Sequence, residues 1–368
     1  MAITMPTIDV TFKQLAASAT ERSERGYAIL IVRDDTDKSF NYKEYNLITD
    51  VEEEDYTNKN LQYINDIFTF NPYKVCIVRI DATATEGKTL PTISDALMIV
   101  QNNVKTGWIT VADGTIEDFE TLASWIKGQA VRKKNYKSVC YKLATEPDEK
   151  HIVDVESQKV TFNDDRGEQE GLTYLPSLIG ILASCNITRS STYFVCGNLK
   201  KVEEVADKDA ALQAGKFILF NDGDGVVRIA QGINSMITTN GTTATEDMKF
   251  IETVEVMDMI QDDINTVYKD YIGNYKNKYN NQVLLISAIN GYFSSLADED
   301  ILDSEYENKS DVNVETQRKA WIAVGKEEAK DWTDIQVRKN TFKRKVFLAA
   351  NIKILGNMTD LDFDINLF

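Results

Sequence analysis

The sequence predicts an α/β protein with a mainly parallel sheet covered by helices, followed by a smaller α+β part and framed by extended β-arms. Three observations carry this prediction. The first half of the chain alternates short, almost wholly apolar segments with amphipathic ones, and strands that are apolar on both faces are typical of a parallel sheet buried between helices. Two long amphipathic segments follow residue 235, and both chain ends alternate apolar and polar residues.

In the first half, each apolar segment predicts a strand and each amphipathic segment predicts the helix that follows it. The helix from residue 94 is expected to begin with a Ser94–Asp95 cap, and the helix from residue 115 has acidic residues in its first turn. The predicted strands are 27–33, 74–80, 108–111 and 138–143, and the predicted helices are 61–68, 94–104 and 115–127.

The chain beyond residue 146 predicts shorter elements. The segments 216–220 and 226–230 flank Asn-Asp-Gly-Asp-Gly and predict a hairpin. Asp222 and Asp224 in that turn faintly suggest calcium, but a calcium loop needs a longer ligand series and a terminal Glu, so a tight turn is favoured. The remaining predictions are strands 151–155 and 159–162, a buried helix 172–186, helices 250–271 and 281–296, and a last core strand 346–355.

Both chain ends alternate strictly, which predicts strands with one buried face. Two interpretations remain open: each end pairs with its own sheet, or each is an arm that adds a strand to a neighbouring subunit. The polar stretch 14–26 and the spacer 356–360 favour arms because they provide reach. The apolar members of the two alternations are Ile8, Val10 and Phe12 at the start and Leu361, Phe363, Ile365 and Leu367 at the end.

Composition restricts the partners. The chain has 41 basic and 58 acidic residues, a formal net charge of -17, which argues against general nucleic-acid binding and against insertion into anionic membranes. We expect no signal peptide, because the first residues lack a basic segment followed by an apolar one, and synthesis in the cytoplasm. The four cysteines have no C-x-x-C spacing and are expected to be reduced core thiols.

Catalytic chemistry finds little support in the sequence. His151 is the single histidine, there is no G-x-S-x-G motif, and the turn after the first strand is Asp-Asp-Thr-Asp, without glycines to admit a phosphate. We therefore predict no catalytic, cofactor-binding or metal-binding residues and no cofactor. The alternative, an enzyme of unknown chemistry on a doubly wound sheet, rests on the alternating first half alone.

Several segments resemble contractile tail sheath proteins. They are PTIDVTFKQLAASATERSERG at 6–26, GVVRIAQGINSM at 225–236, VLLISAINGY at 283–292 and VFLAANIKILGNMTDLDFDINLF at 346–368. Each motif is short, but their order and spacing cover essentially the whole chain. The similarity is greatest to the compact sheath proteins of diffocin-like bacteriocins and of contractile phages that infect Gram-positive bacteria.

The resemblance implies a structural subunit that forms stacked hexameric rings around a tail tube and contracts to drive the tube through the target cell envelope. It implies a core called subtilisin-like for its topology, location in a phage tail or bacteriocin particle, and assembly in the host cytoplasm. The implied partners are other copies, the tail tube protein, and baseplate and tail terminator proteins. The expected division is an arm and linker at 1–26, a core at 27–235, a C-terminal sheath domain at 236–355 and an arm at 356–368. A non-contractile filament or shell protein is a further alternative.

A basic cluster stands out in this acidic chain, just before the last predicted strand. It is either a solvated face or, by analogy with the family, a contact with the acidic exterior of the tail tube or with an acidic neighbour. Its members are Arg338, Lys339, Lys343, Arg344 and Lys345.

Overall fold

The computed structural model describes residues 26–84, 87, 89–185, 187 and 189–365. Ile8, Val10, Phe12 and Leu367 of the predicted arms therefore lie outside the described residues. The described chain forms two compact units, one of residues 26–255 with 356–365 and one of residues 256–355.

The first unit is built on strands and helices that alternate as predicted. Its elements, in chain order, are β1 Tyr27–Arg33, β2 Tyr42–Tyr45, α1 Asn58–Phe68, β3 Lys74–Ile80, α2 Ile93–Asn103, β4 Gly107–Val111, α3 Ile116–Val131, β5 Tyr136–Tyr141, β6 Ile152–Val155, β7 Lys159–Phe162, β8 Glu168–Glu170, α4 Leu175–Ser184, β9 Leu199–Val202, α5 Lys208–Gln213, β10 Lys216–Phe217, β11 Leu219–Asn221 and β12 Val227–Ile229.

Seven of these strands form one sheet in the order β10-β6-β5-β4-β1-β3-β2. All neighbouring pairs are parallel except β2–β3. The central residues of β1, Ala28 to Val32, are fully buried, because the helices that connect parallel strands cover the faces of the sheet. Helix α4 packs against α1, where a Cβ at Gly180 would lie 2.6 Å from the carbonyl oxygen of Ile67. The predicted fold class, a mainly parallel sheet covered by helices, is confirmed.

Two local predictions for this unit are wrong. The N-cap of α2 is Thr92 rather than Ser94: the Asp95 backbone N–H donates to Thr92 Oγ1, and Thr92 N–H donates to the Asp95 carboxylate at 2.8 Å. This reciprocal arrangement satisfies two backbone donors at once, which a cap at Ser94 would not. The segment 216–220 is not one strand, because β10 pairs in parallel with β6, whereas β11 turns away to pair with β12.

The hairpin predicted from segments 216–220 and 226–230 is present in shorter form at 219–229, with Asp222 in its turn. The Asp222 N–H donates to the carbonyl of Val226 at 2.8 Å, and its carboxylate accepts a hydrogen bond from Arg228. Asp222 is thus used within the turn. Among the described residues, no group of three or more His, Cys, Asp or Glu side chains is placed to hold a metal ion.

The second unit contains the remaining helices and a two-stranded antiparallel sheet. The long helix α6 Ile251–Tyr271 starts in the first unit and continues into the second. Across the described ranges, no helix has the length and apolar character needed to cross a membrane. The other elements are α7 Tyr279–Asp298, β13 Lys309–Val312, α8 Val314–Ala323, α9 Asp334–Lys339 and β14 Leu348–Asn351.

The prediction of a last core strand at 346–355 needs correction. The strand is shorter, Leu348–Asn351, and it pairs only with β13 in the described part of the chain. Leu348 is half-buried and the other three residues are exposed. The apolar composition that suggested a core strand belongs instead to an edge strand with an open side.

Candidate assembly interface

The C-terminal segment leaves large apolar side chains in water. No strand is assigned to residues 355–365, and Leu361, Phe363 and Ile365 are 88%, 72% and 71% exposed. Full burial of such a side chain contributes about 1.5–3 kcal/mol to stability. The isolated chain does not gain this stabilisation from these three side chains. In the described part of the chain, residues 361–365 do not pair with a sheet of their own chain, which was the first of the two interpretations.

The root of this segment is attached to the first unit. The backbone N–H of Asn357 donates to Glu252 Oε1, at 3.1 Å, in the first turn of α6. The segment beyond it, with Met358 fully exposed, extends from a fixed point. This geometry suits an arm that leaves the body of the subunit.

The two-stranded sheet of the second unit has two different edges. On the β13 side, Asn290 of α7 acts as a substitute strand: its Oδ1 accepts from the Ser310 N–H at 2.7 Å and from the Ser310 hydroxyl at 2.8 Å, and its Nδ2 donates to the Ser310 carbonyl at 3.3 Å. Ser310 is 2% exposed. The outer edge of β13 is therefore covered.

The β14 edge is open. Ser310 faces Ala350 in the ladder and directs its backbone groups outward to Asn290. The Ser310–Ala350 pair is therefore a non-hydrogen-bonded pair of the antiparallel ladder. By the same alternation, the N–H and C=O groups of Leu348 and Ala350 point away from β13, where the described residues provide no partner strand. An open edge of this kind is a template for a further strand.

A groove runs beside this edge within the second unit. Its volume is about 770 Å³, and its floor is apolar. The basic residues Lys343 to Lys345 form its rim. The floor residues are Ile264, Tyr268, Leu285, Ile289, Val346 and Leu348.

The structure divides the predicted basic cluster into two parts. Arg338 is half-buried and its guanidinium is paired with Asp311, while Lys339 ends helix α9 and is exposed. Lys343, Arg344 and Lys345 are exposed and line the groove. Only these three form what we call the basic loop, residues 343–345.

The basic loop is held in place by Asn277. Its Nδ2 lies within hydrogen-bonding distance of the carbonyl oxygens of Phe342, Lys343 and Lys345 at 3.2–3.3 Å, and its Oδ1 accepts from Gln282 Nε2 at 2.7 Å. Lys343 has a φ of 45°, a conformation that costs a non-glycine residue energy and persists only where neighbours enforce it. Hydrogen bonds from Asn277 therefore hold the loop in one backbone conformation. Sequence analysis missed both Asn277 and Asn290.

The crevice in which open α/β sheets usually bind ligands is occupied by the chain's own ion pairs. At the carboxyl ends of β1 and β4, Arg33 forms a bidentate pair with Asp118 at 2.8 and 3.1 Å, and Asp113 accepts from Tyr63 at 2.8 Å. Burial opposes the charge on Asp118, but the bonds from Arg33 and Thr115 outweigh it and hold its pKa below the ordinary value. His151 is 4% exposed, with Nδ1 3.0 Å from Glu149 Oε1. These contacts engage the polar side chains at this edge of the sheet within the fold itself.

Comparisons with known proteins agree with this picture. Residues 243–368 match the family described as phage tail sheath C-terminal domain. The tail sheath protein of Clostridium phage phiCD119 is 26% identical over 98% of this chain and 98% of its own length. A sheath tail protein from Listeria innocua shares the fold, with a TM-score of 0.67 and 15% identity over 83% of this chain and 93% of that one. The contracted helical sheath of the anti-feeding prophage gives a TM-score of 0.67 at 10% identity, over 93% of each chain.

The fold and these matches indicate the class of structural proteins that build contractile tails. Within that class, the chain is similar over its whole length to a tail sheath protein, and its residues 243–368 match the C-terminal domain of that family. The predicted resemblance is confirmed.

Proposed function

We propose that this chain is the structural subunit of a contractile tail sheath, and that its chain ends link neighbouring subunits by adding strands to them. The observation that carries the proposal is that one molecule contains both an exposed apolar segment and an open strand edge. Residues 361–365 expose alternate apolar side chains, and β14 exposes an edge with no partner strand among the described residues. Each feature supplies what the other lacks.

Linkage by strand addition suits a sheath that changes length. Main-chain hydrogen bonds contribute about 1 kcal/mol each, and three apolar side chains contribute more on burial, so one arm makes a durable tether. The spacer 356–360 absorbs changes in backbone angle while rigid subunits rotate. A head-to-tail contact between rings that does not close on itself produces an open helical stack.

The finer points of the function belong to the same proposal. Six copies form a ring, rings stack around a tail tube, and the sheath ends on a baseplate and a terminator. The subunit is made in the host cytoplasm and resides in the phage tail or a related particle. The N-terminal residues Ile8, Val10 and Phe12 act as a second arm, and the chain has a structural rather than an enzymatic role. The tail sheath relative and the sheath structures of contractile injection systems support this reading.

Assembly of purified protein tests the proposal. The full chain is expected to form hollow ringed tubes in negative-stain electron microscopy. Removal of residues 361–368, or the double change Phe363→Asp and Ile365→Asp, is expected to leave a folded monomer that forms no tubes. Leu361, Phe363 and Ile365 are exposed, so the free energy of unfolding should stay within about 0.5 kcal/mol of the unmodified value.

The control is Ile116→Asp, which introduces one negative charge at a side chain that is 59% exposed on helix α3. This variant is expected to assemble normally. Tubes formed by the truncated chain would contradict strand linkage, and a full chain that remains monomeric under all assembly conditions would contradict the sheath function itself.

A further inference from the structure

We propose that copies of this chain are also held together by a contact between their first units, which does not involve the chain ends. In this contact an acidic loop of one copy, residues 46–54, docks on a basic turn of the next copy, residues 131–134. The inference rests on the proposed function and deepens it, because it assigns a head-to-tail contact to the bodies of the subunits.

The basic turn ends helix α3. Its residues are Val-Arg-Lys-Lys, and all four are exposed, Val131 to 82%. Neither Arg132 nor Lys134 forms an ion pair within the described part of the chain. In a protein with a net charge of -17, the turn is therefore a concentrated positive surface with an apolar side chain beside it. Such a surface offers an acidic partner complementary charge as well as an apolar contact.

The backbone of the turn indicates that its cations have a role outside the fold. Lys133 has a φ of 60°. The N–H of Lys134 donates to the Gln129 carbonyl and the N–H of Lys133 donates to the Ala130 carbonyl, both at 3.0 Å. Glycine usually occupies the position of Lys133 in this helix ending, because any side chain there costs energy. The C-terminus of a helix carries only about half a negative charge, so three consecutive cations exceed what helix α3 itself requires.

The acidic loop follows the edge strand β2. Leu47 and Ile48 at its start are 62% and 41% exposed. Asp55, just beyond the loop, is paired with Lys43 of β2, so the loop is attached to the sheet at both ends. The exposed acidic residues of the loop are Asp50, Glu52, Glu53 and Glu54. Within the described ranges, Glu52 alone among them has an ion-pair partner, which is Lys43 at 3.5 Å.

The sheet keeps the two surfaces of one copy apart. Tyr45 at the end of β2 pairs with Val75 near the start of β3, and Tyr136 at the start of β5 pairs with Gly107 at the start of β4. Both surfaces therefore adjoin the same end of the parallel strands, with β3, β1 and β4 between them. The four steps from β2 to β5, at about 4.8 Å each, amount to roughly 19 Å. The loop and the turn cannot meet within one copy, but they can meet between two copies that lie side by side.

A contact between two different surfaces suits an assembly of many identical subunits. Each copy offers one acidic loop and one basic turn, so the contact can repeat from copy to copy. Complementary charges fix the register and disfavour wrong partners. Because the two surfaces belong to folded bodies, they can separate and meet again as subunits rotate, with no change in either fold. Salt screens exposed charges over about 8–10 Å, so this contact should weaken as the ionic strength rises.

Charge reversal in the purified full chain tests the contact. One variant carries Arg132→Glu and Lys134→Glu, and a second carries Glu53→Lys and Glu54→Lys. Each should lower the yield of sedimentable tubes at least about tenfold, because like charges then face each other. The variant with all four changes has the original net charge and reversed but complementary surfaces, so it should regain the tubes. A one-to-one mixture of the two reversed chains should also form tubes, since each supplies the surface that the other lacks.

The matched control reverses two other lysines of the first unit. Lys200→Glu with Lys201→Glu makes the same change of charge at exposed residues of β9, and it is expected to assemble normally. Circular dichroism and thermal unfolding of every variant should match those of the unmodified chain, since the altered side chains are exposed. Arg132→Gln with Lys134→Gln provides a second reading if glutamates disturb the end of α3. It should lower the yield less, and added salt should reduce the unmodified yield towards the same level.

Three results would overturn the inference. They are normal tubes from either reversed chain; failure of the folded fourfold variant to regain tubes; and loss of tubes on reversal of the turn but not of the loop, which would give the turn a different acidic partner site. Each of these can occur while the unmodified chain forms tubes, in which case the sheath function stands and only this contact fails.

Discussion

The covered edge of β13 depends on one side chain, which makes Asn290→Ala an informative substitution. Asn290 Oδ1 accepts two hydrogen bonds from Ser310, at 2.7 and 2.8 Å, and its Nδ2 donates a longer one at 3.3 Å. Alanine would leave the N–H and hydroxyl of a residue that is 2% exposed without these partners. An unsatisfied buried polar group costs about 1–3 kcal/mol.

The loss can be estimated from these contacts. The Ser310 hydroxyl can rotate towards another acceptor and water can enter the small space, so we expect a total near the middle of that range, about 2 kcal/mol for Asn290→Ala. Asn290→Asp keeps both acceptor bonds but places a carboxylate oxygen opposite the Ser310 carbonyl in place of the amide donor, so it is expected to cost about 1 kcal/mol. The difference between the two variants reflects the acceptor bonds less this repulsion.

Denaturant unfolding of both variants measures the loss, and amide hydrogen exchange locates it. Exchange should accelerate in residues 309–312 and their partners in β14 and stay unchanged in β1. If Asn290→Ala remains within about 0.5 kcal/mol of the unmodified chain, or if Asn290→Asp is as damaging as alanine, the side chain does not act as a substitute strand.

Three further outcomes follow from other contacts. The pKa of Asp118 is held below its ordinary value, so its contribution to stability is complete above the pKa of the unfolded chain and is lost as the pH falls through the pKa of the folded chain. Asp118→Asn should therefore cost about 2 kcal/mol at neutral pH. In urea titrations, the difference in unfolding free energy between the two chains should shrink below about pH 4. The Lys137 side chain is 7% exposed, and its Nζ lies 2.5 Å from the carboxylate of Glu255, which is 25% exposed. Glu255→Gln leaves the buried lysine charge unpaired and should cost about 3 kcal/mol, whereas Lys137→Met should cost about half as much. Equal costs for the two variants would argue against this asymmetry. Burial raises the pKa of Cys76 to about 11 and those of Cys140, Cys185 and Cys196 to about 12, and a thiol reagent such as DTNB should label them only on unfolding; rapid labelling of the native chain would contradict this.

The parallel sheet could be predicted because burial on both faces removes polar residues from a strand. Residues 28–32 and 75–78 are apolar for that reason, and both are buried throughout. The ends of helices and strands were harder to predict where two nearby residues or two pairing partners compete for the same role. Thr92 and Ser94 are both capable caps, and only the carboxylate of Asp95 decides between them. The division of 216–220 into β10 and β11 depends on pairing with β6, which is distant in sequence.

The C-terminal arm of the candidate interface could be predicted from the sequence, whereas the open β14 edge and the groove beside it could not. Period-two alternation is a local signal, so Leu361, Phe363 and Ile365 could be identified from the sequence. Asn290 and Asn277 act through backbone groups that are remote in the chain. Asparagine is a poor residue for a helix interior, and Asn290 within α7 was the one hint that a side chain there has a partner elsewhere.

The two edges of the small sheet also constrain how a lattice of these subunits is linked. If each copy donates two arms, each copy must on average receive two strands, yet Asn290 leaves the β13–β14 sheet with one open edge. A strand that binds to this edge exposes a new edge of its own. The second arm therefore adds to the first, or pairs with an edge of one of the other three sheets of the described chain. In the first case, removal of residues 361–368 should abolish both linkages together, whereas in the second case the N-terminal linkage should persist.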